Sequence, residues 1–329
     1  MDTLALRLRP LTAFGSPLLG DTLFGQVCWA VHHRHGPERL RDLLDGYTTG
    51  RPFAVVSDAF PDGFLPRPAL PLSAYRPVPD ADRKAVKRRL WVPLSALTQP
   101  LPDWLQVGLT DQELLGPPVA SATGQGRIRP SGLVEPHPQP HNSINRLTGT
   151  TGRVNFTPYT TMQRWHAPGV PLCCRVVFDP VRIQATDITA LFADIGVAGY
   201  GRDASIGLGK FTVEPTSDPW SVQPQANACL TLAPCAPQGL GFDPRRSFYE
   251  VFTRFGRHGD LAVQWGNPFK TPLLLARAGA LLTPLRMPDA PFIGQGLGGA
   301  GQLSKVLPET VHQGYAPCIP VHLPLENAP

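Results

Sequence analysis

The stretch Gly199-Tyr200-Gly201-Arg202-Asp203-Ala204-Ser205-Ile206-Gly207-Leu208-Gly209-Lys210-Phe211 decides how this sequence is read. Upstream of it, Ile188, Leu191, Phe192 and Ile195 recur at helical spacing, and Phe211-Thr212-Val213 downstream reads as a strand. Apolar, hydroxyl and basic residues are interleaved with the glycines, so the run is not a low-complexity linker. Glycines between a helix and a strand let backbone N–H groups come close to a phosphate. On that reading Gly207 and Gly209 keep space clear for a ligand, and a Cβ there would harm binding and spare the fold.

A second run, Phe292 to Lys305, carries Gly294, Gly296, Gly298, Gly299 and Gly301. A lysine follows each run closely, Lys210 in one and Lys305 in the other, and the pair points to a polyanion. The competing reading is two long turns with no ligand. A dinucleotide site fits poorly, because its glycines lie after a strand and before a helix. The Gly-x-x-x-x-Gly-Lys-Ser/Thr pattern of a P-loop is absent from the sequence.

The chain has 329 residues, enough for two domains of ordinary size. A net charge of +5 permits nucleic-acid binding without demanding it. Charged residues make up only 17% of the chain beside 39 prolines, which predicts much loop or partner-covered surface. The six cysteines include no Cys-x-x-Cys pair and read as buried thiols of a reducing compartment, without disulfides or zinc. The N-terminus lacks a basic region followed by an apolar one, and Leu273–Leu285 is interrupted by Arg277 and too short for a bilayer span. A cytoplasmic protein with no membrane partner is expected.

Along the chain, residues 3–9 alternate as a half-buried strand, and Leu23, Phe24, Val27, Cys28 and Val31 form a helical stripe with Asp21 placed to cap it. Phe53–Ser57 and Leu172–Phe178 read as strands, with a further strand region at 153–165. Between 60 and 140 lie two proline-rich stretches. The first ends in the basic run Arg83, Lys84, Lys87, Arg88; the second holds Gly124, Gly126, Arg127 and Arg129. Such insertions act as functional arms or disordered segments. The basic run is a solvated face, or an arm that touches RNA or a neighbouring subunit. The polar segment His141-Asn142-Ser143-Ile144-Asn145-Arg146-Leu147-Thr148-Gly149-Thr150-Thr151 follows. After a linker at 215–225, a second cycle predicts a strand at 228–232, a helix at 243–255, strands at 271–276 and 281–285, and a last strand at 320–325.

The order strand, helix, strand, strand, helix, strand, repeated and with a glycine loop near each end, gives an α+β fold. It predicts two tandem ferredoxin-like (RRM-like) domains, 1–216 with arm insertions at about 60–140, and 217–329. With these residues in hand, the chain resembles the RAMP superfamily of CRISPR type III effectors, and within it the subunit type that caps the crRNA 5′ end in type III-A (Csm) complexes. The resemblance rests on Phe14–Gly25, on His141–Thr150, on Gly201–Phe211, on Asn267-Pro268-Phe269-Lys270-Thr271-Pro272 and on the glycines at 294–301.

The resemblance implies a non-catalytic crRNA-binding subunit of an antiviral defence complex. It would grip the 5′ repeat-derived tag and bridge a Cas10-type large subunit to the backbone RAMP subunits, with target RNA nearby and no cofactor or metal. The expected RNA-binding residues are His141, Asn142, Asn145, Arg146, Gly201, Arg202, Ser205, Gly207, Gly209, Lys210, Gly294, Gly296, Gly298 and Lys305, with arm contacts from Arg83, Lys84, Lys87 and Arg88. Two alternatives stay open. One is a crRNA-processing endoribonuclease using His141, because related nucleases employ a histidine as general acid or base. The other is the equivalent capping subunit of another type III or type IV effector. His32, His33 and His35 crowd one helix without a carboxylate or cysteine at ligand spacing, and read as a surface helix end.

Overall fold

A computed structural model describes residues 1–79, 81–117, 130–152, 156–217, 223–264 and 266–324. The expected glycines and arginines at 124–129 lie outside the described residues.

The first half follows its sequence pattern closely. Strand β1 (Asp2–Pro10) leads into helix α1 (Gly20–Leu44), which kinks at Gly36-Pro37, and then into strand β2 (Ala54–Pro61). After a long insertion with strands β3 (Phe64–Pro66), β4 (Trp91–Pro93), β5 (Val134–His141) and β6 (Tyr159–His166), the sheet resumes with β7 (Leu172–Phe178). The insertion also carries short helices α2 (Arg83–Lys87), α3 (Trp104–Val107) and α4 (Asp111–Leu115). Helix α5 (Ala185–Ala198) and strand β8 (Phe211–Thr216) complete the half. The sheet order is β2-β7-β1-β8, antiparallel throughout, which is the ferredoxin-like arrangement. Leu6 and Leu8 of β1, the α1 stripe Leu23, Phe24, Val27 and Val31, and Ile188, Leu191, Phe192 and Ile195 of α5 share one core.

The second half departs from expectation. Its sheet runs β12-β9-β14-β13, from strands β9 (Ala228–Thr231), β12 (Leu281–Leu282), β13 (Phe292–Gly298) and β14 (Val311–Val321). A separate ribbon pairs β10 (Val251–Arg254) with β11 (Leu273–Ala276). Among the described residues this half has no α-helix. The predicted helix at 243–255 is loop followed by β10, and the last strand begins at residue 311 instead of 320.

The physical reason lies in the insertion, whose first part is not an arm. Leu65, Val92, Leu97, Leu101, Trp104 and Leu105 pack with Leu230, Leu232, Leu281, Ile319 and Val321 in a second core. Those side chains cover a sheet face that a ferredoxin-like half gives to its helices. On the opposite face of β9, Cys229 and Ala233 join Cys235, Cys318 and Ile293. All six cysteines are free thiols; five are buried and Cys28 is half-buried. Among the described residues no helix is long and apolar enough to cross a membrane.

Buried polar contacts join the halves, two side chains foremost among them. The side-chain amide of Gln313 in β14 accepts from the Val56 N–H at 2.8 Å and donates to the Val56 carbonyl at 2.7 Å. Asp21, in the first turn of α1, is buried against Arg254 (Nε to Oδ2, 2.6 Å) and His312 (Nε2 to Oδ2, 3.3 Å). It is therefore not the helix cap the sequence suggested. The side chain of Asp58 instead accepts from the Gly20 N–H at 2.7 Å.

The second glycine run is likewise not a loop up to Gly298; it is strand β13. An added Cβ at Gly296 would lie 2.3 Å from the Tyr47 carbonyl oxygen, so β13 can cross the turn at Tyr47 only without a side chain. Gly296→Ala is expected to destabilise the protein by about 1–3 kcal/mol through overpacking. Gly25→Ala on α1, where a Cβ meets no atom within 4 Å, should instead stabilise by roughly 0.5–1 kcal/mol from helix propensity. Thermal unfolding of the two variants beside the parent checks both signs.

Candidate nucleic-acid interface

The first glycine run joins α5 to β8 as expected, with a short 3₁₀ turn at Ala204–Ile206. It packs on the loop Phe14-Gly15-Ser16-Pro17. The Gly209 N–H donates to the Ala13 carbonyl (2.7 Å), Tyr200 N–H to the Gly209 carbonyl (2.9 Å), and Gly207 N–H to the Ala204 carbonyl (2.9 Å). Arg202 N–H donates to Ser16 Oγ (3.1 Å) and Lys210 N–H to Thr12 Oγ1 (3.0 Å). Most of the expected backbone cradle is thus spent inside the protein.

The glycines themselves divide. Gly209 has φ +74°, and a Cβ would sit 2.2 Å from the Tyr200 carbonyl; at Gly201 (φ +76°) it would press on Ser16. Gly207 (φ +99°) faces open space. The idea that Gly209 is free to take a side chain without harm to the fold is therefore corrected: its glycine serves close backbone packing. The loop presents Arg202, Ser205 and Ile206 to solvent, and Lys210 is half-buried.

Beside this loop stands the β5–β6 ribbon, a feature the strand pattern at 153–165 hinted at only in part. Its signal in the sequence was proline at every second position, Pro136, Pro138 and Pro140. Proline has no N–H to give a ladder, so these residues point their nitrogens away from β6 and occupy the outer edge. The inner edge of β6 holds the body of the protein: Arg164 and Phe14 exchange two backbone hydrogen bonds of 2.9 Å. Arg202 ties the glycine loop to the same strand, donating to the Met162 carbonyl at 2.7 Å and to Asp203 at 3.0 Å.

The polar motif sits at the far end of the ribbon. The His141 ring stacks on Tyr159 (centroids 5.1 Å apart, 14° between planes), and its Nε2 meets Thr161 Oγ1 at 2.9 Å. Asn142 Oδ1 accepts from Thr151 Oγ1 at 2.6 Å, and Asn145 organises the turn through the Leu147 N–H at 2.9 Å. Arg146 is exposed, and beside it Leu147 is 95% exposed. Tyr159, Met162 and Trp165 are each about half exposed along β6. From the Arg202 anchor to the Tyr159 stack is three residues of strand, roughly 10 Å. The structure therefore brings the first loop, the Phe14–Pro17 loop and the His141–Arg146 motif onto one ribbon. It does not bring the second run there: β13 shares no hydrogen bond with the first loop among the described residues, and Gly294, Gly296 and Gly298 are packed inside the sheet contact. Lys305 is exposed beyond them, and Arg83, Lys84, Lys87 and Arg88 are exposed on and just after α2.

Chemically this is a surface for stacking and charge. An aromatic–imidazole stack whose tyrosine is about half exposed, flanking apolar side chains and nearby arginines suit unpaired bases and phosphates. His33 pairs with Asp260 away from this ribbon, and no group of three metal-ligating side chains occurs among the described residues.

No family model matches the chain, and no curated protein does. Solved structures do. A chain of the Csm1–Csm4 cassette in complex with pppApA is 17% identical with a TM-score of 0.56, the match covering 98% of this chain and 100% of that one. A chain of the Csm3–Csm4 subcomplex of the type III-A CRISPR-Cas interference complex is 12% identical with a TM-score of 0.57, covering 97% and 99%.

Two predictions follow from the geometry. Gly209→Ala should destabilise by about 1–3 kcal/mol whether or not RNA is present, because the strain is internal. The second concerns His166 at the ribbon base, edge-on to Phe14 at 5.0 Å, whose burial pulls its pKa down to about 4. The unfolded chain takes up the proton near the ordinary 6.5, so stability held above that pH should fall progressively between 6.5 and about 4. Melting temperatures across that range should drop less for His166→Phe than for the parent. In fold, the chain is similar to these chains of the Csm1–Csm4 and Csm3–Csm4 assemblies.

Proposed function

We propose that this chain is a non-catalytic RAMP subunit of a type III-A CRISPR effector, acting in the cytoplasm. It grips the 5′ repeat-derived tag of a crRNA and bridges a Cas10-type large subunit to the backbone RAMP subunits. The observation that carries the reading is likeness over nearly the whole length to chains of the Csm1–Csm4 and Csm3–Csm4 assemblies, which have Csm4 in common.

The residues support the same role. The His141–Tyr159 stack offers a ring face to a splayed base, and Arg146, Arg202, Ser205 and Lys210 lie along the same ribbon and loop. Asn142 and Asn145 shape the turn that presents them. Lys305 and the basic helix α2 supply further charge at separate places, within reach of a long guide or its target. His141 hydrogen-bonds to a threonine and stacks on a tyrosine, and among the described residues no carboxylate pairs with it to tune it as a general acid or base, which favours recognition over cleavage.

Purification of the chain with its neighbouring gene products, followed by sequencing of bound RNA, tests the role. RNAs sharing one short 5′ tag are expected; an RNA-free homo-oligomer would overturn the reading. In the assembled complex, Arg146→Ala and Lys210→Ala should each lower the slope of log affinity against log salt by roughly one phosphate contact. Purified protein should leave repeat RNA intact. Cleavage at one position, abolished by His141→Ala, would instead establish an endoribonuclease.

A further inference from the structure

Among the described residues, β10 pairs with β11 alone, in a two-stranded ribbon. Their register decides which backbone groups face inward. The Arg277 N–H donates to the Glu250 carbonyl at 2.8 Å, and Val251 and Thr253 stand opposite Ala276 and Leu274. Hydrogen-bonded and non-hydrogen-bonded pairs alternate in an antiparallel ladder. Phe252 and Arg254 therefore turn their backbone groups toward β11, and Val251 and Thr253 turn theirs to the outer side. The ribbon continues past the strand: the Lys270 N–H donates to the Gly256 carbonyl at 2.9 Å, and the His258 N–H to the Pro268 carbonyl at 2.8 Å. The same alternation sends the backbone of Phe255 and Arg257 outward. Among the described residues none of these four outward N–H and C=O pairs is engaged. Residues 250–258 contain no proline, so this edge keeps the donors that β5 lacks.

The side chains on the same positions are exposed as well. Residues directly opposite each other share a sheet face, so Leu274 and Phe269 join Val251, Thr253, Phe255 and Arg257. Val251, Phe255, Leu274 and Phe269 are each more than half exposed. Tyr249, Val251 and Leu274 also border an apolar cleft of about 510 Å³ with Leu240 and Phe242. At one end of the edge Glu250 faces Arg277 at 3.8 Å. At the other end Arg257 is exposed and has no ion pair among the described residues.

We infer that the outer edge of β10, residues 251–257, takes up an extended segment of a partner protein as an added strand. That segment carries apolar side chains at alternate positions and a carboxylate opposite Arg257. Only another backbone answers alternating donors and acceptors together; phosphates would meet the amides and be repelled by the carbonyls. Two copies of this chain paired about Thr253 would set Tyr249 against Arg257 and leave the cation unanswered. That the partner is another protein subunit of the effector rests on the function proposed above.

The test measures amide exchange in the full chain alone and in the complex purified with its neighbouring gene products. Val251, Thr253, Phe255 and Arg257 should exchange fast in the free chain and slow by about tenfold or more in the complex. Thr253→Pro removes an outward amide and no bond to β11, so the free chain should melt as the parent does while the complex loses one protein subunit. Thr253→Val should keep that subunit, and Arg257→Glu should weaken its retention. Fast exchange at this edge in every preparation overturns the inference, as does a Thr253→Pro complex with its full set of proteins. Slow exchange induced by RNA alone assigns the edge to RNA, and a dimer of the free chain that Thr253→Pro dissociates assigns it to a second copy; either result also overturns it. Tagged RNA in a complex whose edge stays open sinks this inference alone. A covered edge in a complex without tagged RNA sinks the proposed function alone.

Discussion

The carboxylate of Asp21 is the point on which the two halves of the molecule turn. Its side chain has no solvent exposure, and burial alone would drive it to the neutral form. The His312 imidazole and the Arg254 guanidinium outweigh that cost and hold its pKa below the ordinary value. A buried charge of this kind is tolerable only when its partners are in place. Those partners lie more than 230 residues away in sequence, on β10 and β14. Taking away either partner would leave that charge buried and uncompensated, so the start of the first helix depends for its stability on the second half.

The same dependence explains an otherwise odd second half. A sheet with both faces apolar must be covered, and this one has no helices of its own among the described residues. The insertion from the first half supplies Trp104, Leu101 and Val92 to one face. Along its edge, β13 lies so near the first half that glycine is required where it passes Tyr47. Among the described residues the ribbon, the glycine loop and the basic helix α2 present exposed side chains on this body, and these are where the function is proposed to reside.

Much of this was legible in the sequence. Alternation at residues 3–9, the apolar runs Phe53–Ser57, Leu172–Phe178 and Phe211–Val213, and the α1 and α5 stripes placed the four strands and two helices of the first half, because each carries a regular buried pattern. The second half was less legible for a physical reason. Asp243–Phe255 has apolar residues compatible with a helix, yet Val251–Arg254 is drawn into a ribbon by pairing with Leu273–Ala276, a tertiary contact that spacing does not encode. The glycine runs were recognised as special, but their explanation was incomplete. Gly201, Gly209 and Gly296 answer to nearby backbone and side chains across the fold, whereas Gly207 faces open space. Neither the meeting of Arg254 with Asp21 nor the tie from Arg202 to Met162 could be read from residues so far apart.

The prolines of β5 carry one more consequence. An exposed strand ordinarily offers a ladder of donors and acceptors on which another chain can grow, the route to edge-to-edge polymers. Along the outer side of this ribbon, Pro136, Pro138 and Pro140 leave carbonyls without amides, so an incoming strand would find half its hydrogen bonds missing. The outer edge of this half-apolar ribbon is therefore protected against zipping onto its own copies. What the edge keeps is a row of acceptors, open to hydroxyl and guanidinium donors but closed to a backbone.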